Sequence, residues 1–504
     1  MDRLITKATP EGTLTYTYDG DGHVLTITSS NANGASVSYT YDSLNRLSTV
    51  TDNRLGGAQN VTTYTYDTAN NLVTETLPNN LQSTFQYDPE NRLSSMTAGQ
   101  SGFLYNLGPT GIRTGATEST GRTVGWSFDG IYRLTAETVT NDPSGDNGSV
   151  SYSLDPVGNR LSQASSLHNV PTVGFSYGPD DTLLGETYDG NGNVTATGGK
   201  TFSYDSQNEL ISANGGAVTV VYDGFGNRVS KTANGVTTKY LVNDVNPTGY
   251  PQVFDELTAS TVTRTYTYGL QRISENQVID NVWTPSFYGY DGFGTVRQLT
   301  NTAGAVTDTF EYDAFGNAIT HTGTTPNNYL YRGEQYDSDL GLYYLRARYY
   351  NPLTGRFMGR DPEDGNQFDP ASLHRYLYAQ GDPVNWVDPR GRDDFEEYDF
   401  IESRVAPAEG DVEGELQEAK QELCDLPRVG SALKKDPYHA FPDIVDNYIV
   451  DAVATMLQSG AVLYQVLGSL NGAEGRFEWI VEDNQVTHRF FCRGGGLNGT
   501  PIVP

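Results

Sequence analysis

The stretch Tyr39-Thr-Tyr41-Asp42-Ser-Leu-Asn45-Arg46-Leu47 decides the architecture, because the chain repeats it. It returns as Tyr64-Thr-Tyr66-Asp67 with Asn71-Leu72 and as Phe85-Gln-Tyr87-Asp88 with Asn91-Arg92-Leu93. Looser copies follow at Tyr188-Asp189, Tyr204-Asp205, Tyr222-Asp223 with Gly226-Asn227-Arg228, Tyr290-Asp291, and Tyr312-Asp313 with Gly316-Asn317. A period of about 20 to 25 residues marks an array in which each unit buries its apolar face only against its neighbours.

One unit is legible from its residues. The alternation Thr15-Tyr16-Thr17-Tyr18 has the period of two of a half-buried strand, and β-branched and aromatic side chains suit its pleated surface. The Asp-x-x-Gly-Asn or Asp-x-x-Asn-Arg segment supplies turn chemistry, since Asp and Asn satisfy local backbone donors and Gly accepts positive φ. Each unit is therefore a β-hairpin. Its recurrent Tyr and Arg are assigned to packing and to hydrogen bonds between units.

These motifs resemble the YD repeats of the RHS family, over residues 1–391. The end of the array carries a longer signature: Tyr331-Arg332-Gly333-Glu334-Gln335-Tyr336-Asp337, Gly341-Leu342-Tyr343-Tyr344-Leu345-Arg346-Ala347-Arg348-Tyr349-Tyr350, Arg360-Asp361-Pro362 and Asp382-Pro383-Val384-Asn385-Trp386-Val387-Asp388-Pro389-Arg390-Gly391. That run is similar to the RHS repeat-associated core. The resemblance implies a mainly β protein, a YD-repeat hairpin shell that spirals around a toxic C-terminal segment. It also implies an aspartate-dependent self-cleavage by Asp361 and Asp388 that separates shell from cargo. Paired carboxylates can activate water and protonate the leaving amine. Asp-Pro is equally an ordinary turn element, and Arg392 stands where the family has Leu after Asp-Pro-x-Gly.

Composition fits an all-β array. With 55 Gly, 34 Tyr and 36% hydrophobic residues among 504, the chain holds few aliphatic side chains for one compact core. A net charge of −30 disfavours broad binding of nucleic acid or anionic membrane by the repeats. The two cysteines, Cys424 and Cys492, lie outside the repeats, so strand pairing rather than disulfides holds the array. No run reaches the roughly 18 to 20 apolar residues of a membrane-spanning helix, and the first residues lack the apolar stretch of a signal peptide. Asp2-Arg3-Leu4-Ile5-Thr6 reads as the tail of a repeat without its Tyr-Asp half, as expected for the C-terminal portion of a longer product or for a displaced cassette that can recombine onto one; an upstream delivery or membrane-anchoring domain, or a secretion apparatus, is the expected partner.

Four segments are expected: repeats over 1–325, the core over 326–391, an acidic linker over 392–425 and a small α+β domain over 426–504. Residues 393–425 hold thirteen acidic side chains against Arg404 and Lys420, the composition of a solvated spacer. In the last segment Pro442 opens a run with Ile444, Val445, Tyr448, Ile449, Ala452, Val453 and Met456 at helical spacing, and Gly460 ends it. Strands are expected at 461–467, 476–481 and 486–493, with Asp483-Asn484 as the last turn.

The candidate chemistry of this tail is His439, Arg476, Glu478, His488 and Arg489. Cleaving RNA without a metal needs a base for the 2′-hydroxyl, an acid for the leaving oxygen and cations for the phosphorane. His439 and His488 would be the acid/base pair, Glu478 an orienting or basic group, and Arg476 and Arg489 the phosphate stabilisers. The tail resembles small toxin domains of the barnase, EndoU and colicin-type ribonuclease group, which implies RNA cleavage, with tRNA a common target. A cognate immunity protein is the implied partner, secretion the implied route, and the target-cell cytoplasm the place of action. Zinc and nucleotide motifs are missing, so no cofactor or metal is expected.

Register decides what His488 is. A two-residue loop at Asp483-Asn484 sets His488 opposite Trp479 as a core residue, with Glu478 against Arg489; a three-residue loop brings His488 to the face of Arg476 and Glu478. His439, just before the run, could equally be a helix flank. Two rival functions remain: an inert C-terminal cap on a surface adhesin or carbohydrate-binding repeat protein, and an enzyme that modifies a host protein.

Overall fold

The computed structural model describes residues 3–54, 60–362 and 370–392, with side chains from residue 372 in the last of these, and the backbone of five later strands. The chain divides into two units, Met1–Pro407 and Ala408–Pro504.

In the first unit, the described strands from Thr6–Thr9 to Val173–Gly174 form one 16-stranded sheet, and those from Thr187–Tyr188 to Ala318–Thr322 form a 14-stranded sheet. Each strand pairs with its sequence neighbours, all antiparallel, so the sheets are uninterrupted meanders. The expected hairpin array is what forms. Leu14, Tyr16, Ile27, Val37 and Tyr39 of the first sheet pack against Phe254, Tyr266, Tyr268 and Phe287 of the second.

The Tyr-Asp phrase has a mechanical reason. At each copy the strand register slips by one, as between Thr40 and Tyr41, so that Tyr41 pairs with Leu47 and the chain turns early. Asp42 Oδ1 then accepts the N–H groups of Leu44 and Arg46, Oδ2 takes the Arg46 guanidinium, and Asn45 sits at φ 64°. Between units, Tyr66 Oη donates to the Leu47 carbonyl at 2.7 Å, and Arg46 reaches forward to the Asp67 carbonyl and Asn70. The same tyrosine bond recurs at Tyr41, Tyr87, Tyr268 and Tyr290. Packing and inter-unit bonding are thus the roles of the recurrent Tyr and Arg. Asp67→Ala removes the acceptor of two backbone N–H groups and of Asn71 Nδ2. Its expected cost is about 1–3 kcal/mol, read from urea unfolding of the chain.

After the second sheet, Gln335–Asp337, Leu342–Leu345, Arg348–Asn351 and Arg356–Phe357 form a four-stranded sheet. Arg228 and Lys231 of the second sheet grip its first strand at Asp337, at 2.6 and 3.0 Å. The core is also sewn to the first sheet: His374 Nε2 meets Asn159 Oδ1 at 2.9 Å, and Asn385 Oδ1 accepts the Arg113 N–H.

The second unit contains one described antiparallel sheet, Val453–Met456, Val462–Leu470, Ala473–Glu482 and Gln485–Arg493. Its last three strands are the expected ones, each a little longer. Val453–Met456, read from the sequence as the end of a helix, is instead a strand paired with Val462–Gln465. Val453 and Thr455 are β-branched, and a partner strand in reach outweighs helical spacing of apolar residues. The expected helix upstream of Val453 and the acidic linker lie outside the described residues, apart from Phe395–Glu396, which pairs with Trp386–Val387. Among the described residues no helix is long and apolar enough to cross a membrane.

Candidate functional site

The two core aspartates expected to work together meet at one guanidinium. Arg348 Nη1 lies 2.8 Å from Asp361 Oδ2, and Nη2 lies 3.3 Å from Asp388 Oδ2. Asp388 is 1% exposed and Arg348 7%, so this side of the ion group is shielded from water, whereas the Asp361 side chain is 18% exposed. Phe357 lies under the guanidinium, 3.6 Å from its ring centre, and packs with Tyr350 and Tyr378. Asp382, in a neighbouring Asp-Pro, shows the ordinary alternative: its carboxylate accepts the Val384 and Asn385 N–H groups and Asn385 Nδ2.

The Asp388 side differs because the chain folds back on it. Asp388 Oδ1 accepts the Arg392 N–H at 3.0 Å, while Arg348 Nε donates to the Gly391 carbonyl. The Gly391–Arg392 peptide is therefore polarised at both ends, its oxygen by a cation and its nitrogen by a carboxylate. Gly391, at φ 70°, has no alternative: a Cβ there would collide with the Leu345 carbonyl and come within 3.0 Å of the Arg348 nitrogen. Arg392 contributes its backbone N–H, so the departure from the family's Leu leaves this bond intact. Sequence reasoning named both aspartates and passed over Arg348, whose signal was only its place in the Arg346-Ala347-Arg348 phrase.

The tail candidates are known by register alone. Arg476 pairs with Cys492, Glu478 with Phe490, Trp479 with Arg489 and Ile480 with His488, and the register then slips so that Glu482 meets Gln485. The slip leaves Thr487 as an extra residue on the last strand. Positions 476, 478 and 488 consequently share one face of the ladder, and 489 falls on the other. The two-residue connection was expected to set His488 opposite Trp479, and the bulge undoes that. His439 lies outside the described residues.

One further group, Asp19, Asp21 and His23, has ligand atoms within 4.8 Å of one another. Two of its three side chains are taken up by the turn: Asp19 Oδ1 accepts the N–H groups of Asp21, Gly22 and His23, and Oδ2 meets His23 Nδ1 at 3.0 Å.

Residues 186–384 match the family described as teneurin YD-shell, and residues 27–58 and 66–101 match the RHS repeat. Among curated relatives, a tRNA3(Ser)-specific nuclease WapA of Bacillus spizizenii is 29% identical over 55% of this chain and 11% of its own length. A tRNA(Glu)-specific nuclease WapA of Bacillus subtilis subsp. natto is 33% identical over 41% of this chain and 9% of its own. A double-stranded DNA deaminase toxin A of Burkholderia cenocepacia is 27% identical over 48% of this chain and 21% of its own. The chain thus spans about a tenth of the nucleases it matches. Among solved structures, the Photorhabdus luminescens Tc holotoxin pore matches 77% of this chain and 22% of that one, at TM-score 0.64 and 18% identity, a likeness of fold.

Proposed function

We propose, from the premise that this chain is an RHS/YD-repeat protein, that it is the carrier and cargo of a contact-delivered toxin: the repeats and core form the carrier, cleavage beside Asp388 frees the tail, and the tail cuts RNA. The observation that carries the cleavage is the pinned Gly391–Arg392 peptide, with one carboxylate at its nitrogen and a second on the same arginine. Asp361 takes a proton from a water whose oxygen adds to the Gly391 carbonyl carbon. The charge that develops on the carbonyl oxygen falls beside Arg348. The carbon–nitrogen bond then breaks as Asp388, protonated at the outset, gives its proton to the Arg392 nitrogen, leaving a Gly391 carboxylic acid, a free amine, a protonated Asp361 and an ionised Asp388. A released fragment whose N-terminal sequence starts at Arg392, or one residue later at Asp393, fits the reading.

The nuclease reading rests on the register that gathers Arg476, Glu478 and His488 on one face. A base or acid, an orienting carboxylate and a cation on one sheet face are what metal-free phosphodiester cleavage needs. Arg489, on the opposite face, is left to bind RNA away from the reacting phosphate, and His439 supplies the second acid/base group. Relatives of similar repeats are named for tRNA cleavage and for DNA deamination, so the chemistry of this tail is argued from its own residues, with tRNA the favoured substrate. A cognate immunity protein would cover this face in the producing cell. Producer cells would export the toxin and target cells would meet its tail in their cytoplasm.

The test is expression of residues 393–504 from a tightly repressed promoter beside a His488→Ala copy, with total RNA from both run on a gel. The parent arrests growth with new RNA fragments, and His488→Ala reduces cutting by about 10²-fold or more. Arrest with intact RNA, or equal cutting by both, removes the ribonuclease reading.

A further inference from the structure

The tight turn that carries Arg348 also carries Arg346, whose backbone is in the wrong place for its side chain. Arg346 lies at φ 57°, in the left-handed region that suits Gly or Asn and costs other L-residues steric strain. The same turn grips the segment 389–391 beside it in an ordered way. Arg346 Nη1 donates to the Pro389 carbonyl, the Ala347 N–H to the Arg390 carbonyl at 3.1 Å, and Arg348 Nε to the Gly391 carbonyl. Three consecutive residues hold three consecutive carbonyls, and the last of these belongs to the polarised peptide. The same Arg346 Nη1 meets Glu334 Oε1 at 3.0 Å, and Arg346 Nε donates to the Pro251 carbonyl at 3.3 Å.

We infer that Arg346 is a positioning residue of the cleavage centre, fixing Pro389 so that Gly391 reaches Arg348 and its neighbour reaches Asp388. The inference rests on the proposed self-cleavage. The Ala347 bond is made by backbone and survives any side-chain change. The Arg346 bond anchors the start of this segment to a charged side chain braced by Glu334, as the Arg348 bond anchors its end. A guanidinium suits the post because it can bind Glu334 and two carbonyls at once in a fixed plane. Loss of such an anchor displaces the reacting peptide without touching the reacting groups, and a misplacement of about 1 Å costs about 10²-fold in rate.

The strained φ gives a test in which structure and positioning predict opposite results. Arg346→Gly relieves the left-handed conformation, so a role confined to the backbone leaves cleavage at the parent rate, and a role confined to stability slows it only with a lowered midpoint. The positioning role slows it by about 10- to 100-fold while the melting midpoint of the uncleaved chain stays level or rises. The full chain is made by cell-free translation, and the half-time of conversion is followed on gels for the parent, Arg346→Gly, Arg346→Lys, Glu334→Gln and Asp388→Asn. Arg346→Lys, which keeps a cation but not the fork, is expected to recover part of the rate, and Glu334→Gln to fall between parent and Arg346→Gly. If Asp388→Asn blocks cleavage while Arg346→Gly cleaves at the parent rate, the positioning role is overturned and the centre stands. Slow cleavage with a lowered midpoint in both Arg346→Gly and Glu334→Gln is a stability effect and also overturns it. A parent that never cleaves, or an Asp388→Asn chain that cleaves normally, removes the centre and this inference together.

Discussion

Asp388→Asn is expected to leave the chain at full length, where the proposed cleavage separates the parent into residues 1–391 or 1–392 and the tail. The substitution is nearly isosteric and retains an oxygen to accept the Arg392 N–H, so the local turn persists. The amide cannot pass a proton to the leaving nitrogen, and general acid/base groups contribute about 10²–10⁴-fold. Asp361→Asn gives the same arrest by removing the group that activates water. Arg348→Lys is not a mild change, because a point charge cannot serve Asp361, Asp388 and the Gly391 carbonyl together as the planar fork does. Stability and chemistry separate by limited proteolysis. Breaking one partnership of a buried ion group is costly, but Asp361 still faces Arg348 in Asp388→Asn. A variant whose repeats resist protease like the parent's and whose cleavage is lost places Asp388 in the reaction. A protease-resistant Asp388→Asn chain that cleaves at the parent rate excludes it.

The repeats were legible because each one carries its own instructions. Asp42, Asn45 and Arg46 act within a few residues of one another, and the strand alternation around Tyr39 and Tyr41 is local. What the residues did not announce was the register slip before each Tyr, which depends on how two strands meet. The same limit governs the tail. Whether His488 joins Arg476 and Glu478 turns on one extra residue, Thr487, and nothing in Val486-Thr487-His488 distinguishes a bulged from a regular strand. Val453–Met456 failed for a related reason: a short apolar run takes its conformation from the partner it finds. In the core, Asp361 and Asp388 stood out by their Asp-Pro context, whereas Arg348 works from 40 residues away in sequence, through space alone.

The folded chain is expected to be more stable near pH 5 than near pH 8, the opposite of what paired surface carboxylates would give. Burial pushes Glu137 up to about 8, helped by the Asp313 carboxylate opposite it and opposed by the Ala314 N–H and Arg122. Burial likewise lifts Glu75, Glu275 and Asp382 to about 7 and Asp313 to about 6. Each of these binds its proton more tightly folded than unfolded. Their contribution is complete below the unfolded carboxyl range near 4 and is lost as pH rises through 6 to 8. Two effects act in the other direction. Burial and the Arg356 charge hold His374 down to about 4, which weakens the fold as pH falls below its ordinary value of 6.5. The turn carboxyls Asp42 and Asp88, held below their ordinary range by Arg46 and Arg92 despite some desolvation, lose their contribution only at more acid pH. One pKa unit is worth about 1.4 kcal/mol. Five buried acids therefore outweigh one histidine, and thermal melts should give a midpoint several degrees higher at pH 5 than at pH 8. Glu137 and Asp313, with Arg122, Trp126 and Phe293, line a cavity between the two sheets, which makes this pair the place to intervene. Glu137→Gln keeps an acceptor for the Ala314 N–H and removes the ionisation. It should raise the midpoint at pH 8, leave it nearly unchanged at pH 5 and flatten the slope between them; a slope identical to the parent's would show that this carboxyl ionises as freely in the folded chain as in the unfolded one.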